Sequence, residues 1–280
     1  MCTKMKTLLF FLLFASICYS QQQEIPIASK ILLDNVNTTE KSAVTSVFMV
    51  INKKLSKKGS SFLIKDGPII TNAHVVTDCN PEDLVLISIF GEILNVKEIK
   101  RDTIRDLAAL IPVKKITGGV ELAIKDTLKL GSVVTTWGFP LGYNGPAPLL
   151  SVGFLSGYSA QGRADKKGFV KHLVVNGAFN PGNSGGPLFL EYQNKVFGVV
   201  VSKHAPISDF VLSALKAFEN NKSGFTYTGT DDKGNKVEYM ESAIVAKILK
   251  EYRELSQVMI GEAISLEELK SFLKENKFIK

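Results

Sequence analysis

A pair of antiparallel β-barrels with an α-helical C-terminal extension is the fold this sequence predicts, on three observations. Short β-branched and aromatic runs recur between residues 43 and 202, separated by turn residues and without a helical period. They fall into two series, each about the length a small barrel needs. Beyond His204 the apolar residues change to helical spacing. The composition, 280 residues with 45% hydrophobic and 22% charged, is that of an ordinary globular chain, so disorder is not the default.

Residues 1–20 are different in kind. Lys4 and Lys6 precede the apolar run 8–17, and Cys18-Tyr19-Ser20 leads into Gln21, the order of a secretory signal with cleavage after Ser20. The run is too short to favour a spanning helix, so membrane association is expected only if the segment is retained or Cys18 is lipidated. Ile17 stands where a lipidation motif wants a small residue. Removing the signal leaves 32 basic against 27 acidic residues, so the net charge falls from +7 to +5. It also leaves Cys79 as the sole cysteine, so the exported domain must be held by its core rather than by an internal disulfide. The basic excess sits in short doublets such as Lys53-Lys54 and Lys114-Lys115 with no aromatic-basic motif, which argues against a nucleic-acid partner. The three histidines show no ligand spacing, so neither a metal nor an organic cofactor is expected.

Residues 21–42 read as a polar arm. Residues 43–115 form the first barrel, with strands at 47–51, 61–64, 69–70, 84–90, 96–99 and 107–113 and turns at 57–60 and 65–68. Residues 116–127, with Gly118-Gly119, make the crossover. Residues 128–204 form the second barrel, with strands at 132–138, 151–157, 169–176, 187–192 and 196–202 and a polar loop at 159–168. Residues 205–280 are expected to be mostly helical, at 209–219 and 240–258, around a hairpin at 224–239. Ser265 and Glu268 form a capping box that opens a last helix through Leu269, Phe272 and Leu273.

The chemistry is concentrated in Asn180-Pro181-Gly182-Asn183-Ser184-Gly185-Gly186-Pro187, a glycine-dense turn between two apolar runs. Its glycines permit positive φ and leave N–H groups uncovered by side chains. An exposed nucleophile beside an oxyanion hole requires this: Ser184 would attack a carbonyl whose oxygen is received at Gly182, Asn183 and Ser184. A hydroxyl also needs a base, and the base an acid. His74 lies in Thr71-Asn72-Ala73-His74-Val75-Val76 and Asp106 in Arg105-Asp106-Leu107-Ala108-Ala109-Leu110. Asp102, the nearest rival acid, lacks the Leu-Ala-Ala-Leu run that would bury it. The turn also fits the G-x-S-x-G elbow of α/β-hydrolases, whose acid and histidine follow the serine. Here only Glu191 and His204 follow in that order, crowded into one strand pair, which excludes the elbow. His172 and His204 match no motif and read as ordinary.

With His, Asp and Ser in this order, the chain resembles the trypsin-like serine proteases over residues 43–204, most closely their HtrA/Deg-type bacterial branch. Trp137-Gly138-Phe139-Pro140-Leu141-Gly142 and Ser151-Val152-Gly153-Phe154-Leu155-Ser156-Gly157 are similar to that branch's second barrel. Val75 stands where animal members carry a bridged cysteine. The resemblance implies six strands per barrel and an exported, periplasmic or secreted endopeptidase cleaving polypeptides through an acyl-enzyme. In it His74 is the base, Asp106 orients it and Ser184 is the nucleophile. It also implies a substrate strand added along Val200-Val201-Ser202. The specificity pocket would be walled by 176–180 and that strand, with its floor near Ala178, and would suit small or aliphatic residues. Lys203 and His204 are the features that would instead favour an acidic residue. The loop 159–168 reads as a plain surface loop from its residues, whereas the resemblance would have it order before the oxyanion hole forms and would have the arm contribute to a homotrimer. Residues 205–280 lack the strand-rich pattern of a PDZ domain. A catalytically silent binding or holdase protein on the same fold, and an esterase, are the alternatives.

Overall fold

The computed structural model describes residues 24–125, 128–163, 167–191, 193–201, 209–220, 224–230, 234–255 and 260–280. The predicted signal, and Ser202, Lys203 and His204, lie outside them.

The first barrel is closed by β1 (Val47–Asn52), β2 (Lys57–Leu63), β3 (Ile69–Thr71), β4 (Leu84–Ser88), β5 (Ile93–Asp102) and β6 (Leu107–Pro112), paired antiparallel in the order β1-β2-β3-β6-β5-β4. All six expected strands are present, but the turn expected at 57–60 is the start of β2. The chain reverses at 53–56 instead, where Ser56 takes φ 51°. Gly59 serves close packing rather than turning: a Cβ on it would lie 2.7 Å from Val75 Cγ1.

Beyond the crossover come β7 (Glu121–Leu122), β8 (Val133–Gly138), β9 (Leu149–Gly162), β10 (Phe169–Gly177), β11 (Pro187–Leu190) and β12 (Lys195–Val201), followed late in the chain by β13 (Thr226–Thr230), β14 (Lys236–Met240) and β15 (Ile260–Ser265). The second barrel runs β8-β9-β10-β15-β12-β11, and β11 pairs back to β8. β7 lies parallel along the same edge of β12 that β15 occupies further on. Part of the loop expected at 159–168 is strand, because β9 pairs with β10 out to Gly162 and Phe169.

The larger departure is β15. The sequence pattern shows five strands up to residue 202 and places 205–280 outside the barrels, yet Ala263 pairs with Leu173 on one side and Val200 on the other. A strand of Ile-Gly-Glu-Ala-Ile-Ser has no clean alternation and runs straight into a helix cap, so it hides from periodicity. Its glutamate is buried because it is paired. Glu262 Oε2 lies 2.9 Å from His172 Nδ1 and accepts from Gln161 Nε2 at 2.6 Å. His172 is therefore part of a buried polar cluster rather than an isolated core histidine.

The helices are α1 (Ile27–Asn35), α2 (Thr38–Thr45), α3 (Asp209–Asn220), α4 (Glu241–Leu255) and α5 (Leu266–Glu275). The expected arm is thus two short helices. Asn37 caps α2 by accepting the Glu40 N–H at 2.8 Å, while Leu32, Leu33 and Val36 rest on the core. Lys250 pairs with Glu219 between α4 and α3, and β13 and β14 form the expected hairpin. Three apolar clusters hold the molecule. One fills each barrel, and the third joins the barrels and α5 through Phe62, Trp137, Phe139, Ile264 and Phe272. Each such side chain, fully buried, contributes roughly 1.5–3 kcal/mol. Among the described residues no helix is long and apolar enough to cross a membrane.

Candidate active site

β3 and β6 are neighbours, with Thr71 opposite Ala108, so the residues after one strand meet those before the other. A single 3-10 turn, Ala73–Val76, buries Ala73, Val75 and Val76 and turns His74 outward. Asp106 faces it. Its Oδ2 is 2.7 Å from His74 Nδ1, and its Oδ1 accepts the His74 backbone N–H at 2.9 Å. The Asp106 carbonyl accepts from Ala73 N–H at 3.2 Å and Asn72 Nδ2 at 3.0 Å. To make these bonds Asp106 sits at φ 57°, a left-handed conformation costly for most side chains and more tolerable for aspartate. An ionised carboxylate only accepts, so Nδ1 carries the proton and Nε2 is left as an acceptor, the tautomer a general base requires. The rival acid is accounted for: Asp102 Oδ2 binds Arg105 Nη1 at 2.6 Å.

Ser184 enters from the second barrel. Gly182 and Gly185 take φ 95° and 87°, and neither has room for a Cβ. On Gly182 it would sit 2.4 Å from the Phe139 oxygen, and on Gly185 2.2 Å from the Ser60 oxygen. Leu141 N–H donates to the Pro181 carbonyl at 2.6 Å. In a trans peptide the N–H opposes the C=O, so this bond turns the Gly182 N–H to the other side, where it meets no acceptor among the described residues. Asn183, expected in the hole, uses its N–H on the Asn180 carbonyl at 3.0 Å. Its side chain is fully buried, and neither polar atom has a partner among the described residues.

The first barrel supports this turn. Ser60 Oγ donates to the Gly182 carbonyl at 2.7 Å and accepts Phe139 N–H at 2.9 Å, and Ser60 N–H donates to the Ser184 carbonyl at 2.9 Å. Lys58 Nζ reaches the carbonyls of Pro140 and Tyr143 at 3.1 and 2.6 Å, and burial there pushes its ammonium below the ordinary lysine pKa. Between them lies Gly59, whose Cβ would stand 2.7 Å from Val75 Cγ1 and 3.4 Å from the Ser184 oxygen. The segments bearing His74 and Ser184 therefore meet across one glycine. His74 is half-exposed, its side chain 49% accessible, while Ser184 is 4% accessible.

The expected pocket differs in detail. Val200 donates to the Gly186 carbonyl and accepts from Gly185 N–H, and its side chain is in the core, so it offers a substrate strand neither backbone nor side chain. Of the remaining positions, Val201 and Ala178 are partly buried and Ser202 lies outside the described residues. Phe179, which falls in one expected wall, is 2% exposed and belongs to the apolar cluster that fills the second barrel. A Cβ on Gly261 would lie 2.7 Å from the Phe179 ring. Ser60 and Lys58 escaped sequence reasoning because Lys-Lys-Gly-Ser mimics a turn. Phe179 lay within the predicted wall, but nothing in the pattern showed which way its ring points.

Two closed barrels, an acid–histidine pair on one and a serine in a glycine turn on the other, define the chymotrypsin-type class of folds. The chain belongs to the trypsin-like peptidase domain family, whose profile matches residues 59–199. Over 133 residues it is 39% identical to a probable periplasmic serine endoprotease DegP-like of Pseudomonas fulva, covering 47% of this chain and 26% of that protein. Over 143 residues it is 34% identical to the putative serine protease HhoB of Synechocystis, covering 50% and 33% respectively. The chain thus spans about a third or less of the length of these curated relatives. Among solved structures, the inactive form of the Rv3671c protease of M. tuberculosis shares the fold with TM-score 0.56 at 17% identity, covering 85% of this chain and 92% of that one. Its active form gives 0.51 at 21% identity, covering 62% and 76%.

Proposed function

We propose that this domain is an exported serine endopeptidase working through His74, Asp106 and Ser184. The observation that carries the reading is the pair of hydrogen bonds that Asp106 makes with His74, ring and backbone, beside a serine turn in which the Gly182 N–H meets no acceptor among the described residues. His74 Nε2 takes the Ser184 proton as Oγ bonds to the substrate carbonyl carbon. The oxygen's negative charge falls on the N–H groups of Gly182 and Ser184. His74 then gives the proton to the leaving amine, and water, deprotonated by the same nitrogen, releases the acyl group. A preference for small or aliphatic side chains before the cleaved bond is proposed on the resemblance, with Ala178 near the pocket floor.

Fluorophosphonate labelling tests the reading. Labelling that disappears in Ser184→Ala is expected, and its absence in the native protein under all conditions would favour a silent binding protein. Comparing casein with simple esters separates endopeptidase from esterase, and peptide-library cleavage after Lys, Arg or Glu alone would overturn the small-residue preference. Assembly as a homotrimer is proposed on the resemblance alone. The exposed Ile27 and Ile31 on one face of α1 are its candidate contacts, and sedimentation equilibrium decides.

A further inference from the structure

Arg105 stands one residue before Asp106 and is 9% exposed. An arginine this buried must spend its donors. It does so on three carboxylates: Nη1 on Asp102 at 2.6 Å, Nε on Glu268 at 3.1 Å, and Nη1 and Nη2 on Glu275 at 2.9 and 2.6 Å. Two of the three come from α5, far away in sequence. Hydrogen bonding to Glu275 is the largest influence holding the guanidinium above its ordinary pKa, so its charge is permanent. Asp102 adds a second constraint, its Oδ1 accepting the backbone N–H groups of Ile104 and Arg105 at 2.9 and 3.0 Å. The turn that delivers Asp106 in its left-handed conformation is therefore gripped at both ends. Glu268 also accepts the Lys171 N–H of β10 at 3.1 Å, so the network runs from the Asp106 turn through α5 into the second barrel.

We propose that Arg105 is a positioning residue: through Glu268 and Glu275 it ties the Asp106 turn to α5, so that the C-terminal helix sets the aim of the aspartate at His74 and the seat of the His74–Asp106 half of the site on the barrel that carries Ser184. This rests on the proposed endopeptidase reading. Without the tie Asp106 would relax from its strained φ and lose one or both bonds to His74. Small displacements of this kind are expensive in catalysis while leaving substrate contacts intact.

Arg105→Lys is the discriminating variant, because it keeps the charge but cannot make the forked bonds. Two readouts are taken on the full chain: kcat and KM on a peptide substrate, and the titration of His74 followed by NMR, its resonance assigned by loss in His74→Gln. The expected result is a fall in kcat of about tenfold with KM within about twofold, and an altered His74 NMR response as the carboxylate withdraws. Lower denaturant resistance with unchanged kcat and unchanged His74 titration would overturn the proposal and leave Arg105 a purely structural residue. Should Arg105→Lys not fold, Glu268→Gln, which keeps the shape of its side chain, is read the same way in kcat against KM. If the native protein takes no fluorophosphonate label, the endopeptidase reading fails, yet the His74 titration in Arg105→Lys still decides whether the tie aims Asp106.

Discussion

Replacing Ser60 by alanine removes one oxygen and strands two buried partners. The Gly182 carbonyl loses a donor at 2.7 Å and the Phe139 N–H an acceptor at 2.9 Å, in a place where Ser60 has no exposed surface. A buried group left unpaired costs about 1–3 kcal/mol, so after partial relaxation the loss should be about 2–4 kcal/mol. Catalysis should suffer separately. Gly182 supplies one of the two proposed oxyanion donors, and removing such a donor outright costs about 100- to 1000-fold in rate. Loosening it should reduce kcat by about tenfold, with KM within about twofold because the substrate strand is untouched. Urea unfolding and steady-state hydrolysis measure the two effects. Ser61→Ala is the internal control: it is equally buried, but its hydroxyl makes one longer bond, 3.3 Å to the Phe48 carbonyl. Its cost should stay near 1 kcal/mol with kcat unchanged. If Ser60→Ala matched Ser61→Ala in both measurements, the hydroxyl would not be what holds the Ser184 turn.

Gly185→Ala should destabilise by at least about 2 kcal/mol by calorimetry, since it adds a Cβ at positive φ against Ser60 and Thr71, and it should abolish fluorophosphonate labelling. A labelled, stable variant would refute that geometry. Thr136→Val should stabilise by about 1 kcal/mol in urea, because the buried Thr136 hydroxyl has no partner among the described residues and the methyl that replaces it fits the same space. Destabilisation would show the hydroxyl to be satisfied. Burial raises the pKa of the Cys79 thiol, so at pH 7–8 it stays protonated and unreactive while the protein is folded. Peptide mapping after iodoacetamide should therefore find Cys79 alkylated slowly in buffer and fast in urea, and equal rates would contradict its burial.

The features legible in the sequence were local ones. Strand runs such as 107–113 show in apolar periodicity, the Ser265–Glu268 cap in its spacing, and the candidate triad in short motifs whose order excluded a rival fold. What escaped was decided by distant partners. β15 looks neither alternating nor apolar because its Glu262 is satisfied by His172 and Gln161, about 90 to 100 residues earlier. Gly59 and Ser60 read as a turn, although the glycine is there for Val75 and the serine for Gly182. Asp102 and Arg105 look like surface charges until Glu268 and Glu275 arrive from the other end of the chain. Asn183 entered the expected oxyanion hole by adjacency, and only the hydrogen bond to Asn180 shows that its N–H is directed elsewhere.

The position of Ile260–Ser265 has a bearing on how the protein is made. Until synthesis has delivered that segment, β10 and β12 keep bare edges, and bare edges invite pairing with other chains. Gly185 and Gly186 hang from β12 through Val200, so the Ser184 turn has no finished support until the ring is shut. A nascent chain halted anywhere between residues 202 and 259 would already contain His74, Asp106 and Ser184 and still lack the strand that closes the barrel carrying Ser184. The three side chains are thus synthesised before the frame that seats one of them is complete.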